Sequence, residues 1–257
     1  KLEFFAQDQW WEMATTVSGG SGRGLHFAGE GQSPIGYTNV INYIQITTQG
    51  DAVDFGDMTG GSYEAGANSS YTRAVHSLGY DDPSYVKTIE YVTMATAGNA
   101  IDFGDFSALY SASCHQSDGV RDVIMGGYAP GGSHMNNIEY VTIASTGNAA
   151  DFGDVTFHGN YGAFGVNSHT RGIHTGASNG PHGGNNMIDY ITIQSLGDAV
   201  DFGDCTVQHK APGGTSNGVR GLVAGGNSGP SPTPHGVPQN TIDMIIIAST
   251  GNAQDFG

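Results

Sequence analysis

One stretch recurs along this chain and limits what it can fold into. It reads Asp51-Ala52-Val53-Asp54-Phe55-Gly56-Asp57, then Asn99-Ala100-Ile101-Asp102-Phe103-Gly104-Asp105. It returns as Asn148-Ala149-Ala150-Asp151-Phe152-Gly153-Asp154 and Asp198-Ala199-Val200-Asp201-Phe202-Gly203-Asp204, and again as Asn252-Ala253-Gln254-Asp255-Phe256-Gly257. The phenylalanines stand 48, 49, 50 and 54 residues apart. A period near 50 means tandem supersecondary units, each burying its apolar face against the next.

A second fixed point sharpens the repeat. All five arginines, Arg23, Arg73, Arg121, Arg171 and Arg220, hold one position, spaced 50, 48, 50 and 49 apart. After each comes a short apolar run ending in small residues, such as Val123-Ile124-Met125-Gly126-Gly127. A variable loop leads to an alternating strand, such as Ile138-Glu139-Tyr140-Val141-Thr142-Ile143, whose β-branched content suits a half-buried sheet. A Gly-Asn or Gly-Asp turn then leads into the Asp-Phe-Gly strand. A Gly/Ala/Ser-rich segment, such as Tyr161-Gly162-Ala163-Phe164-Gly165-Val166, precedes the next Arg. We label these segments A (small residues), B (after Arg), C (Ile-x-Tyr) and D (Asp-Phe-Gly). Four short antiparallel strands per unit is the size of a propeller blade, with the glycine-rich A strand at the crowded axis.

The reading is an all-β propeller of about five four-stranded blades in a single domain, 1–257. The units are approximately 8–57, 58–105, 106–154, 155–204 and 205–257. Residues 1–7 are expected to be a degenerate outer strand, because Glu3-Phe4-Phe5-Ala6 stands in D register to Arg23. That spare strand would clasp the last blade or mark where a longer array was cut. The chain starts at Lys1 without Met or signal peptide, as a processed or trimmed segment would.

Composition narrows the function. The net charge is −16 with eight Lys plus Arg, so no basic patch exists to hold nucleic acid or an anionic membrane. No apolar run approaches the 18 residues of a spanning helix. Cys114 and Cys205 occupy non-equivalent places and are expected to be two small buried thiols. No nucleophile elbow, P-loop, zinc-protease or dinucleotide motif stands in its required context, so the chain is expected not to be an enzyme.

The repeat resembles the kelch repeat, with Val123-Ile124-Met125-Gly126-Gly127, Glu139-Tyr140 and Phe152 in its characteristic places and Phe where kelch has Trp. The longer wording Ile-Glu-Tyr-Val-Thr-Ile-Ala-Ser-Thr-Gly-Asn-Ala-x-Asp-Phe-Gly-Asp resembles repeats of virion proteins from aquatic bacteriophages such as cyanophages. That resemblance implies a kelch-like propeller acting as a non-enzymatic tail, fibre or capsid accessory module. It would sit on the virion, in a symmetric assembly, and bind other virion proteins or a host-surface glycan or receptor. The alternative is a secreted lectin-like glycan-binding propeller.

The candidate residues divide in two. Arg23, Arg73, Arg121, Arg171 and Arg220, with Phe55, Phe103, Phe152, Phe202 and Phe256, recur once per unit, which a single active site does not require. The arginines are expected to bridge carboxylates and the phenylalanines to plug the core. The B–C loops, by contrast, vary and hold eight of the nine prolines. A rigid scaffold with diverse loops on one face suits binding, and Tyr37, Tyr80, Tyr85, Tyr128 and His235 are the candidate contacts. No resident cofactor or metal is expected. Oxygens of the Gly-Asn-Ala-x-Asp turns admit Ca2+, although the spacing is not that of a calcium loop, and Asx turns capping their own backbone account for them. His26, His76 and His174, three places after the repeat Arg, alternate with Ile124 and Val223 and read as core or channel lining.

Overall fold

The computed structural model describes the chain apart from residues 1, 7–8, 14–21, 28, 30–35, 78, 82, 158–161, 179–183 and 229–236; of residues 2–6 and 9–13 it describes the backbone. A hairpin of β1 (Leu2–Ala6) and β2 (Gln9–Met13) comes first. Blade 1 is β3 (Arg23–Phe27), β4 (Val40–Gln45) and β5 (Val53–Asp57). In blade 2, β6 (Ala67–Ser69) and β7 (Arg73–Ser77) lead to a loop hairpin, β8 (Tyr80–Asp81) and β9 (Ser84–Tyr85), then β10 (Thr88–Thr93) and β11 (Ile101–Asp105). Blade 3 is β12 (Cys114–Ser117), β13 (Arg121–Ala129), β14 (Ser133–Thr142) and β15 (Ala150–Asp154). Blade 4 is β16 (Phe164–Asn167), β17 (Arg171–Thr175), β18 (Asn185–Thr192) and β19 (Val200–His209). Blade 5 has β20 (Gly213–Ser216) and β21 (Arg220–Ala224), a loop hairpin of β22 (Asn227–Ser228) and β23 (Val237–Pro238), then β24 (Ile242–Ile246) and β25 (Gln254–Asp255).

The sheets are antiparallel meanders in the order A-B-C-D, and together they make a five-bladed β-propeller. Blade 1 shows three strands; its A segment falls on residues outside the described set. The A strands of neighbouring blades pack on each other, β6 with β12, β12 with β16 and β16 with β20, so A is innermost. Space there is short: a Cβ on Gly165 would lie 1.7 Å from Gln116 Nε2.

The core lies between blades. Four apolar clusters correspond to the four joints between successive blades, for example Val123, Met125 and Phe152 of blade 3 with Ile191 and Ile193 of blade 4. The Asp-Phe-Gly motif builds each joint. In blades 1–4 the C–D ladder skips the Phe: Ile138 pairs with Gly153 and Glu139 with Asp151, leaving Phe152 as a bulge. A bulge re-aims its side chain, and here the ring turns into the joint, where it is buried. The following Gly has φ between +146° and +151° in all four blades. It also passes so close to the next blade that a Cβ on Gly104 would lie 2.3 Å from Gly147 O. Only glycine meets both demands.

The Gly-Asn and Gly-Asp turns complete the joint from the other side. Gly147 N donates to Phe103 O at 2.8 Å and Ala149 N to Asp105 O at 2.9 Å, while Asn148 Oδ1 accepts from Asp105 N at 3.1 Å. The same set recurs at Gly98–Ala100, Gly197–Ala199 and Gly251–Ala253. The sequence suggests that these turn oxygens cap their own backbone or offer Ca2+ ligands; they reach the preceding blade instead.

The repeat arginines also serve the joint, and their partners correct the expected carboxylate bridge. Arg23, Arg73, Arg121 and Arg171 each donate from Nη1, at 3.0 Å, to a carbonyl of the next blade: Met94, Ile143, Ile193 and Ile247. Each guanidinium lies 4.1–4.9 Å over the C-strand Tyr of its own blade, and that Tyr stands edge-on to the Phe at 6.0 Å. The buried carboxylates have other donors. Glu90, Glu139, Asp189 and Asp243 accept from the backbone N–H of Thr59, Ser107, Thr156 and Thr206, each two residues after the Asp-Phe-Gly-Asp motif of the preceding blade.

Two further expectations change. The repeat makes Arg220 and Phe256 structural like their counterparts, yet both are exposed, because no blade comes after them among the described residues. Within the expected spare strand, β1 pairs with β2 and, among the described residues, not with the last blade.

Candidate ligand-binding pocket on the loop face

The backbone of the loop face repeats while its side chains do not. In blades 2, 3 and 5 the residue seven places after the repeat Arg bridges back to the D–A turn: Tyr80 to Tyr63, Tyr128 to Ser111 and Asn227 to Lys210. The hydrogen bonds are 2.8–3.1 Å. Next to this bridge the D–A turn holds a non-glycine residue at positive φ: Glu64 at 53°, Ala112 at 55° and Ala211 at 51°. The fold needs the left-handed turn in each of these blades, and only blade 2 puts a carboxylate on it.

These side chains surround a cavity of about 580 Å3. Tyr63, Glu64, Tyr80, Pro83 and Tyr85 of blade 2 form one wall. Tyr128, Gly132 and His134 of blade 3 form a second, and Ser178 and Lys210 close it from blades 4 and 5. Three of the sequence-predicted contacts, Tyr80, Tyr85 and Tyr128, therefore meet. Tyr37 stands behind the first wall, stacked on Tyr63 at 5.2 Å and edge-on to Tyr80 at 5.8 Å. Tyr80 in turn meets Tyr85 edge-on at 5.0 Å, and Tyr128 meets His134 at 5.5 Å. His235, with residues 229–236 of its loop, lies outside the described residues.

The pocket's polar groups are mixed. Glu64 accepts a hydrogen bond from Ser111 Oγ at 2.8 Å. Burial, with Glu64 nearby, pushes the Tyr85 hydroxyl above its ordinary value, so it stays a donor. Burial and the Lys210 charge lower His134, which favours neutral imidazole; its buried Nδ1 has no partner among the described residues. Sequence reasoning missed Tyr63, Glu64, His134 and Lys210. One signal was available for Glu64, which stands alone where the aligned turns carry Ala112 and Ala211.

The histidines at the B-strand position do not form a metal centre. His76 and His174 are buried separately, and His26 is exposed. The group that does meet is Cys205, His209 and Asp243, buried with ligand atoms within 4.8 Å of one another. Alignment on the D strand gives it a structural meaning. Cys205 and His209 stand where Phe106 and Tyr110 stand two joints earlier, and Asp243 stands where Glu139 does. Tyr110 donates to Glu139; likewise His209 Nε2 meets Asp243 Oδ2 at 3.1 Å while Nδ1 meets Gly225 O at 2.8 Å. The cluster is the polar part of the joint between blades 4 and 5. Burial pushes both thiols, Cys114 and Cys205, up to about 12, which suits packing and not reactivity.

Fold and pocket together define a repeat propeller with an aromatic cavity shared between blades. Among solved structures of similar fold is one reported as "Structure of YjhT", 12% identical with a TM-score of 0.71, covering 97% of this chain and 88% of that one. At that identity the likeness shows the fold. No protein-family model matches the sequence, and no curated protein shows a match to it.

Proposed function

We propose that this chain is a non-catalytic binding propeller that holds a saccharide in the loop-face pocket. The observation that carries the reading is the aromatic wall of Tyr63, Tyr80 and Tyr85 facing Tyr128 and His134 across the cavity. Aromatic rings cover the apolar faces of a sugar, and their hydroxyls and edges bond its alcohols at little entropic cost. Glu64 supplies an acceptor and Lys210 a donor. The volume falls within the roughly 300–1,000 Å3 of small-molecule sites.

The wording of the repeat supports placing this binding activity on a phage particle, as an attachment or accessory module meeting a host-surface glycan or a neighbouring virion protein. The kelch-like spacing of the unit supports the same class of propeller. A secreted lectin-like propeller would use the pocket in the same way, and particle proteomics separates the two.

A glycan microarray followed by calorimetry with the best-scoring oligosaccharide tests the pocket. Tyr85→Ala and Tyr128→Ala should each weaken binding about tenfold, roughly 1.4 kcal/mol, with unchanged melting. Absence of any glycan binding, or affinity indifferent to both changes, overturns the saccharide reading. Absence of the chain from purified particles overturns the virion setting.

A further inference from the structure

The polar part of the joint between blades 4 and 5 differs in chemistry from the same place in the other joints. Met58, Phe106 and Val155 take the position of Cys205 there, and Ser62 and Tyr110 take that of His209 in two of them. Among the described residues, only this joint brings a thiol, an imidazole and a carboxylate together, with their ligand atoms within 4.8 Å of one another. All three side chains are buried.

The hydrogen bonds around His209 call for a cation. Its Nδ1 lies 2.8 Å from Gly225 O, and a carbonyl only accepts, so Nδ1 carries the proton. In neutral imidazole Nε2 is then an acceptor, and it faces a second acceptor, Asp243 Oδ2, at 3.1 Å. Two buried lone pairs so placed need positive charge between them, either a second imidazole proton or a metal ion. In the equivalent place Tyr110 donates its own hydrogen to Glu139, and no such need arises. The thiol favours the metal, since it adds a third donor of the kind that zinc selects. Each of the three is also oriented from behind. Gly225 O holds His209, Thr206 N at 2.9 Å and Thr206 Oγ1 at 2.5 Å hold Asp243, and Thr175 Oγ1 lies 3.1 Å from Cys205 Sγ. Metal ligands are fixed by outer hydrogen bonds of this kind.

We propose that Cys205, His209 and Asp243 bind a Zn2+ ion that ties blade 4 to blade 5. Zinc bonds of about 2.0–2.3 Å set tetrahedral ligand atoms about 3.3–3.6 Å apart, a spacing that His209 Nε2 and Asp243 Oδ2 nearly have. Binding forms the S–Zn bond and releases the thiol proton to solvent. One thiolate and one carboxylate then balance Zn2+, so the filled site is neutral, which suits its burial. Calcium and magnesium take oxygen ligands and do not match the thiol. Lys210 follows His209 directly and lines the loop-face cavity, so the ion also steadies one edge of that cavity.

The test uses the full chain without a histidine tag, which would itself take up metal. Chain expressed with zinc in the medium should keep one Zn2+ per molecule through gel filtration, read by elemental mass spectrometry. Zinc-edge X-ray absorption of that chain should show a sulfur neighbour at about 2.3 Å beside nitrogen and oxygen at about 2.0–2.2 Å. Chain expressed with cobalt in place of zinc should show the near-ultraviolet band of a thiolate–cobalt bond. Cys205→Ala should abolish that band, and Cys114→Ala should retain it. Chain refolded from denaturant with Zn2+ should melt higher than chain refolded with chelator, and Mg2+ should not substitute. A purified chain without zinc, or a zinc shell without sulfur, overturns the proposal and leaves a proton between His209 and Asp243. A cobalt band that survives Cys205→Ala, or equal melting with and without zinc, also overturns it.

Discussion

Phe152 and Phe256 occupy the same place in the same motif, and one is buried while the other faces solvent. The ring at 152 sits against Ile191 and Ile193 of the next blade; the ring at 256 has no next blade among the described residues. The contrast teaches that Asp-Phe-Gly encodes half of an interface. Its other half is the turn, the carbonyl and the aliphatic pair of the neighbouring unit. An identical motif therefore has different energetics depending on whether that neighbour is present.

Paired substitutions test that lesson, from the largest effect down. Phe152→Ala should destabilise the domain by about 3–5 kcal/mol, as large-to-small aromatic core changes do. Phe256→Ala should leave the monomer within about 0.5 kcal/mol. Equal losses by chemical denaturation would break the comparison. Next come the arginines. Arg171→Ala removes a charged donor from the Ile247 carbonyl and should cost about 1.5–3 kcal/mol, while Arg220→Ala should be nearly silent in the monomer.

The histidines add a pH test. Burial lowers His174 to about 4, and lowers His76 to about 3 with help from His115. A folded value below the unfolded 6.5 means that the unfolded chain takes up the proton first. Stability is therefore complete above about pH 6.5 and falls toward pH 4, by about 1.4 kcal/mol per unit per buried histidine. His174→Val, which installs the residue found at Val223, should flatten that loss in melting curves between pH 7 and 4.5. Smallest is the turn side chain. Asn148→Ala removes the acceptor of Asp105 N and should cost about 1 kcal/mol, against no measurable change for Asp51→Ala on the open turn.

Much of the fold was legible in the sequence because a repeat announces itself as spacing. The five units, the A-B-C-D order and the glycine-rich inner strand come from arithmetic on Arg and Phe. The partner of the Arg was hidden because a backbone carbonyl has no letter of its own. The carboxylates nearby were visible, but their donors are the N–H groups of Thr59, Ser107, Thr156 and Thr206. The pocket was half legible. Tyr80, Tyr85 and Tyr128 stood out within variable loops, but Tyr63, Glu64 and Lys210 enter from D–A turns, and their convergence depends on how three-dimensional neighbours are arranged.

Because the apolar clusters lie at the joints, no blade owns a core. Blades 2, 3 and 4 each share two clusters, while blades 1 and 5 each share one within the monomer. Cooperativity in such an array passes between nearest neighbours. Amide hydrogen exchange should thus be slowest in the middle of the chain and quicken toward both outer blades, and duplicating a middle unit should lengthen the array without redesigning either flank.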